Sequence, residues 1–325
     1  MPGFTTHYIF GMKAYNDMPF TPLKHTIAKY RWLYQLGLQG PDMFFYNIPI
    51  LRHRDYRNVG SYMHEHKVSA FFECCLRRIG TIRSRQQQEE AISYLAGFMN
   101  HYIADSICHP YVYGRIGYPV DAPTSMHHGM HAHLENELDA ILLWKYKKKK
   151  PSEFNQTATI CLNGQEIQFI SHFLASCINE TYYPITYRNN FQVTPAMVHR
   201  SIWALRFGCR TLSDKTGKKK FGIAQVESIF VNHPVASAKM VTDSVTDYRS
   251  SCNLNHEAWG NPWDPTRVST ASFVDLFHET LDKCSRVYAL LNSAVTDNVP
   301  LDKQDLSPLL TELGNESYHS GLPVD

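Results

Sequence analysis

Residues 97–111 read "GFMNHYIADSICHPY", and within them His101, Asp105 and His109 recur at four-residue steps. At 3.6 residues per turn, this spacing stacks an imidazole, a carboxylate and a second imidazole along one face of a helix. The stretch "MHHGMHAHLENELDAILLWKYKKKK", residues 126–150, repeats the device with His131, Glu135 and Asp139. A single His or Asp on a helix is ordinarily a surface residue or a hydrogen-bonded core residue. Here two helices each carry a row of them beside apolar stripes, and burying several unpaired acids and imidazoles would cost several kcal/mol apiece. Cations relieve that cost. Neutral imidazole nitrogen and carboxylate oxygen suit zinc, and more than four such groups imply two or three Zn2+ ions rather than one.

Working outward, "PLKHTIAKYRWLYQLG" (22–37) places Ile27, Tyr30, Leu33, Tyr34 and Leu36 at helical spacing, with Gly37 as a stop. A turn at "QGPD" follows and leaves Asp42 at an element boundary, just before Phe44, Phe45 and Tyr46. The run "VGSYMHEHKVSAFFECCLRRIG" (59–80) reads as one amphipathic helix, with His64, Val68, Phe71 and Cys75 inward and His66 toward water. A third helix is expected from about Gln87 to Cys108, with Gly97 leaving room one turn before His101. The segment 110–124, with three prolines and three tyrosines, is expected to be a loop covering a site. In the helix of 126–150, Met130, Leu134, Leu138, Ile141 and Leu142 are expected to pack. Farther on, "TATICLNGQEIQF" (157–169) alternates around Asn-Gly and predicts one small β-hairpin. Helical stretches are expected near 166–180, 194–213, 221–249 and 270–296. The whole predicts an all-α multi-helix bundle in one domain over 1–325. Its metal-site portion is 1–145, its supporting helical portion 151–297 and its polar tail 298–325.

Composition narrows the function. A formal charge of +2 gives no global reason to expect nucleic acid, and no specific nucleic-acid partner is expected. The N-terminal residues lack the basic and apolar regions of a secretory signal, and no stretch approaches 18 apolar residues, so a cytoplasmic protein is expected. Eight cysteines are scattered without a CxxC pair, which argues against a thiolate zinc site and a disulfide framework. Of 17 histidines, 11 lie in the first 133 residues, so an imidazole-based site should be built from the N-terminal portion.

Taken in order, His7, Asp42, His64, the HxxxD of His101 and Asp105, the following His109, and the HxxxExxxD of His131, Glu135 and Asp139 resemble the zinc-dependent phospholipase C family, which is related in fold to fungal single-strand zinc nucleases. The later "NPWDP" and "SFVDLF" look like intracellular members of that family. The resemblance implies one zinc held by Asp42, His64, His101 and Asp105, and a second held by His109, His131 and Glu135. A third would use His7 and a shared Asp105, completed in secreted members by the amine and carbonyl of an N-terminal Trp. This sequence opens Met1-Pro2 instead, and its step from Asp105 to His109 is shorter than in the secreted members. His127, His128 and His133 therefore stand as alternatives to His109.

What the resemblance implies chemically is hydrolysis of a phosphodiester, with a phospholipid headgroup bond as the expected substrate and Asp42 taking the proton of the attacking water. Phe44, Phe45, Tyr46 and the tyrosines of 110–124 are candidates for apolar and cation-π contacts to a headgroup. The basic run at Lys145 and 147–150 is a candidate for peripheral membrane contact, though such a run is more often a solvated helix end. Nuclease or phosphomonoesterase chemistry, and a zinc-stabilised binding module without catalysis, remain open beside this reading. No GxSxG, P-loop or GxGxxG occurs, nor the adjacent His-Asp pair of HD-type phosphohydrolases. Cys108 and His109 are neighbours on a helix, diverge by about 100 degrees and cannot share a proton.

Overall fold

The computed structural model describes residues 3–46, 59–182, 192–214, 216–230, 237–243, 245 and 247–325. Almost all regular structure among them is helical, as the periodicity predicts. The N-terminal part runs α1 (Phe4–Asp17), α2 (Pro22–Lys29), α3 (Arg31–Gly37), a 3-10 turn (Gly40–Tyr46), α4 (Val59–Glu65), α5 (Val68–Thr81), α6 (Arg85–Arg115) and α7 (Ser125–Lys147). There follow α8 (Gly164–Thr181), α9 (Pro195–Leu212), α10 (Lys218–Phe230) and α11 (Tyr248–Ser251). An antiparallel hairpin, β1 (Trp259–Asn261) and β2 (Asp264–Ser269), precedes α12 (Phe273–Thr296) and α13 (Ser307–Leu313).

The axis of the molecule is α6, 31 residues long and so roughly 46 Å. Ser84 starts it by accepting a hydrogen bond from the Gln87 amide. Helices α1, α2, α3, α5, α7, α8 and α12 and strand β1 all pack on it, which is why residues from Glu90 to Val112 are buried on nearly every side. The closest crossing is with α3, where Gly37 and Gly97 face each other. A Cβ on either would overlap the partner backbone, at Tyr94 O and Tyr34 O respectively. Gly97 does leave room, and α3 fills it. Tyr34 clamps the crossing by donating to Gly11 O at 2.8 Å and lying 3.0 Å from the Tyr288 hydroxyl of α12.

Several boundaries differ from the sequence expectations, each for a local reason. The helix expected over 22–37 is broken at Tyr30, whose φ of −113° and ψ of 42° leave helical space. The one expected over 59–80 breaks at Lys67, a left-handed residue at φ 50°, which puts His64 in the last turn of the short α4. Helix α6 runs through Pro110 to Arg115, so the expected loop of 110–124 is half helix. Met130 is 42% exposed rather than packed. The hairpin exists but not at 157–169. There Gln156–Thr159 form a 3-10 turn, and the Asn-Gly pair is a helix start rather than a β-turn. Asn163 accepts from Glu166 N at 2.9 Å while Glu166 accepts from Asn163 N at 2.8 Å, a capping box that opens α8. Of the helix expected over 221–249, α10 ends at Phe230, a 3-10 turn occupies Ser237–Lys239, α11 begins at Tyr248, and residues 231–236, 244 and 246 lie outside the described residues.

The Gly37–Gly97 crossing sets the height of α3 against α6, and through it the position of the turn that carries Asp42. We expect Gly97→Ala to destabilise the fold by about 1–3 kcal/mol or more, since the clash is with backbone. Gly164→Ala, where an added Cβ meets nothing within 4 Å, should be neutral or slightly stabilising. Thermal denaturation of the two variants against the parent checks both.

Candidate metal centre

Helix α6 presents His101, Asp105 and His109 from one fully buried face, as their spacing requires. Gly40, at φ 47°, turns the chain directly against the His101 ring, where a Cβ would overlap it, and this delivers Asp42 to the same point. Helix α4 brings His64 across. The result is a buried group of Asp42, His64, His101 and Asp105, with candidate donor atoms all within 4.8 Å of one another. His64 Nε2 lies 3.3 Å from Asp42 Oδ1, and His101 Nε2 lies 3.1 Å from Asp105 Oδ2. One turn along α6, His109 meets His131 and Glu135 of α7 in a second group of the same tightness. There His131 Nε2 is 2.6 Å and His109 Nε2 3.6 Å from Glu135 Oε1. Asp105 touches both groups, since His109 Nδ1 is 3.6 Å from its Oδ1.

Each imidazole of α4 and α6 is held by its far nitrogen. His64 Nδ1 donates to Gly60 O at 2.6 Å, His101 Nδ1 to Leu38 O at 3.1 Å, and His109 Nδ1 to Tyr318 O at 2.7 Å. A carbonyl can only accept, so Nδ1 carries the proton and each Nε2 turns a lone pair inward, the arrangement that orients metal-ligating histidines. Asp42 Oδ1, both oxygens of Asp105, and Nε2 of His64, His101 and His109 are buried without a hydrogen-bond partner among the described residues. At 3.1 Å, His101 Nε2 and Asp105 Oδ2 are near enough to bond, but they are not aligned donor to acceptor. Several acceptors converging on one point with no donor between them is what a cation would satisfy.

The electrostatics agree with that donor set. Burial works against the Asp105 carboxylate, yet His109, His101 and His7 together hold it well below the usual range. Glu135 is likewise held low against burial, chiefly by His131. Burial lowers His7 and His131 and pushes His109 down to about 3. His101 alone is raised: burial opposes its charge, but Asp105 and Asp42 outweigh it. Ionised acids and neutral imidazoles are the forms that bind zinc, and His101 is the exception, favouring a proton that a bound cation would displace.

His7, on α1, stacks on His101 with ring centroids 4.0 Å apart and lies 3.1 Å from Asp105 Oδ1. The fold thus brings it beside the first group, but no group of three or more candidate ligands among the described residues includes it. Asp139, third in the α7 row, turns elsewhere. Its carboxylate accepts from Thr5 N at 3.1 Å and Thr6 N at 2.7 Å, capping the start of α1 and so setting the position of His7. Burial outweighs those two amides and raises this carboxyl to about 6. The alternatives to His109 are also placed outside both groups. His127 caps its own helix through Thr124, His133 pairs with Glu137 at 3.5 Å, and His128 lies against the Tyr118 ring.

The C-terminal segment is the part that sequence reasoning missed. Tyr318 N donates to His64 O at 2.9 Å while its carbonyl receives His109, so a single residue ties the two groups together. His319 stacks on His64 at 5.0 Å and places Nδ1 3.4 Å from Glu65 Oε1, and burial lowers it to about 4. The segment docks where Pro110, lacking an N–H, leaves Ser106 O without a helical partner. Gly321, at φ 61°, sits there so closely that a Cβ would overlap that carbonyl. The only sequence signal was the pair of glycines and a late "YHS" in an otherwise polar run.

With this geometry in hand, the family model described as zinc dependent phospholipase C matches residues 6–186, more than half of the chain. The chain belongs to this family. No curated protein and no solved structure matches it. Membership and the two candidate groups together make it a zinc-dependent hydrolase by family, and every residue of both groups lies inside the matched region.

Asp105 touches both groups and Asp139 belongs to neither, so their variants should separate. Asp105→Asn should lower the zinc content of the purified protein. Asp139→Ala should keep the zinc of the two groups and instead lose about 1–2 kcal/mol of stability with the α1 cap. Elemental analysis alongside thermal denaturation reads the two effects.

Proposed function

We propose that this protein is a phosphodiesterase that cleaves the headgroup bond of a phospholipid, releasing diacylglycerol and a phosphorylated alcohol. The observation that carries the reading is the pair of adjacent donor groups, one wholly buried and one slightly exposed at His131 and Glu135, joined at Asp105. Asp42, His64, His101 and Asp105 would hold one zinc, and His109, His131 and Glu135 a second. His7 would contribute to a third. Bound zinc supplies positive charge to a phosphodiester anion and brings the acidity of water toward neutrality. Asp42 keeps its Oδ1 without a hydrogen-bond donor, and it would accept the proton of the attacking water. The histidines of α4 and α6, fixed through Nδ1, keep the donor set rigid, so no reorganisation is needed when charge develops.

The headgroup reading is supported by the rings beside the slightly exposed group. Tyr113 lies 4.5 Å from His131, 4.7 Å from Tyr118 and 4.9 Å from Trp263, forming an aromatic wall at the second group. Such a wall suits a headgroup cation. Of the other aromatic candidates, Phe45 faces His64 at 5.4 Å, Phe44 is buried in the core, and Tyr46 packs against Gly208.

Turnover of a chromogenic phosphodiester and of phosphatidylcholine should fall by on the order of a hundredfold or more after chelation and in His101→Ala. Undiminished hydrolysis in either case would sink the proposal, and turnover of oligonucleotides alone would replace the substrate. In Trp263→Ala, the KM for phosphatidylcholine should rise by roughly two- to thirtyfold, with little change for a substrate lacking a cationic headgroup.

A further inference from the structure

Helix α9 buries Val198, Ser201, Ile202, Leu205 and Cys209. On the opposite face Trp203 is 63% and Phe207 51% exposed, one turn apart, with their rings stacked at 5.3 Å and 9°. Water-facing stacked aromatics of this size are unusual unless something covers them. Around them stand exposed His199, Arg200 and Arg210, one turn before or after the pair on the same face. The stretch 195–212 contains no Asp or Glu. In α10, next along the chain, Phe221 is 67% exposed and follows the exposed Lys218 and Lys219. No described helix is long and apolar enough to cross a membrane.

We infer that α9 is an interfacial helix that lays Trp203 and Phe207 onto an anionic phospholipid bilayer. Aromatic rings at the centre of an exposed helical face, flanked by arginines on a helix that carries no acid, match the polarity profile of a headgroup layer over its acyl boundary. Each basic residue near an anionic surface adds about fivefold to binding. A second copy of this chain would bring the same arginines against one another, which charge disfavours. The helix also adjoins the site through its packed side: α9 lies on the 3-10 turn that carries Asp42, with Gly208 leaving space for the Tyr46 ring. Docking through α9 would therefore hold that turn one helix diameter, roughly 10 Å, from the lipid. The choice of lipid over a protein partner rests in part on the phospholipase reading. The surface itself acts without turnover.

The test is co-sedimentation of the full chain, zinc-loaded, with phosphatidylcholine vesicles with and without phosphatidylserine, at low and physiological salt. We expect binding that needs phosphatidylserine and weakens with salt. In the double variant W203S/F207S it should fall roughly tenfold or more. Melting temperature and hydrolysis of a soluble chromogenic phosphodiester should stay at the wild-type level. Arg200→Glu with Arg210→Glu should abolish the preference for phosphatidylserine, and both sites are exposed, so folding is preserved. Wild-type protein that ignores these vesicles, or a W203S/F207S protein that still binds them equally, overturns the inference. So does a wild-type dimer that the same variant dissociates, because the face would then belong to a second copy. Vesicle binding without turnover of any phosphoester upholds the surface and removes the hydrolase reading. Turnover of soluble ester without vesicle binding does the reverse.

Discussion

Asp105 is the constraint around which the rest is arranged. Its carboxylate is wholly buried, 3.1 Å from both His7 and His101, 3.6 Å from His109 and 3.8 Å from His64. A lone ionised carboxylate in such a place would be severely destabilising, and the fold answers by crowding four imidazoles around it. That answer is incomplete in protein atoms alone, because the His64 and His101 nitrogens facing it are lone pairs directed by Nδ1–H bonds on the far side, and the proton of His109 Nδ1 goes to Tyr318 O. The arrangement is low in energy only when positive charge shares the space, which makes metal binding and stability one quantity.

Delivering those groups depends on particular features of the bundle. The glycine crossing of α3 and α6 lowers the following turn onto His101. The left-handed Lys67 ends α4 just past His64. The Asp139 cap seats α1 so that His7 stacks on His101. The C-terminal segment then closes the structure through backbone atoms of Tyr318, holding a ligand candidate of each group at once. A proline inside a helix, as Pro110 is in α6, would ordinarily be a weakness, but here the freed Ser106 carbonyl marks where the segment docks. The expected division into a metal-site portion and a polar tail therefore understates the tail, whose Leu306, Leu309, Leu313 and Tyr318 are core residues.

What was legible in the sequence follows from period. Rows at four-residue steps must share a helix face, so the α6 and α7 groups could be read directly, and Asp42 and His64 joined them through the ordered resemblance. What period cannot supply is the partner across space. Asp139 continues the α7 row but lies a turn beyond the second group, where the amides of α1 are the nearer claim on it. His319 stands alone in its segment and has no periodic neighbour to announce it. Asn163–Gly164 fits a β-turn equally well until Glu166 is recognised as the third residue of a capping box. Pro110 suggested a loop because proline ends most helices, whereas packing on every side of α6 outweighs one lost hydrogen bond.

The same weighing explains why the lysine run of 147–150 was the weaker candidate for a membrane contact. Its charge is explained by its place at the C-terminal end of α7, where cations balance the helix dipole and solvent covers them. Trp203 and Phe207 have no such local account. Nothing in helix propensity favours two stacked aromatics in water, and their buried neighbours on α9 already satisfy the core. Charge alone is common on protein surfaces, but exposed apolar area flanked on its own helix by charge of one sign is not. That combination, rather than basicity, separates a face built for an interface from a solvated helix end.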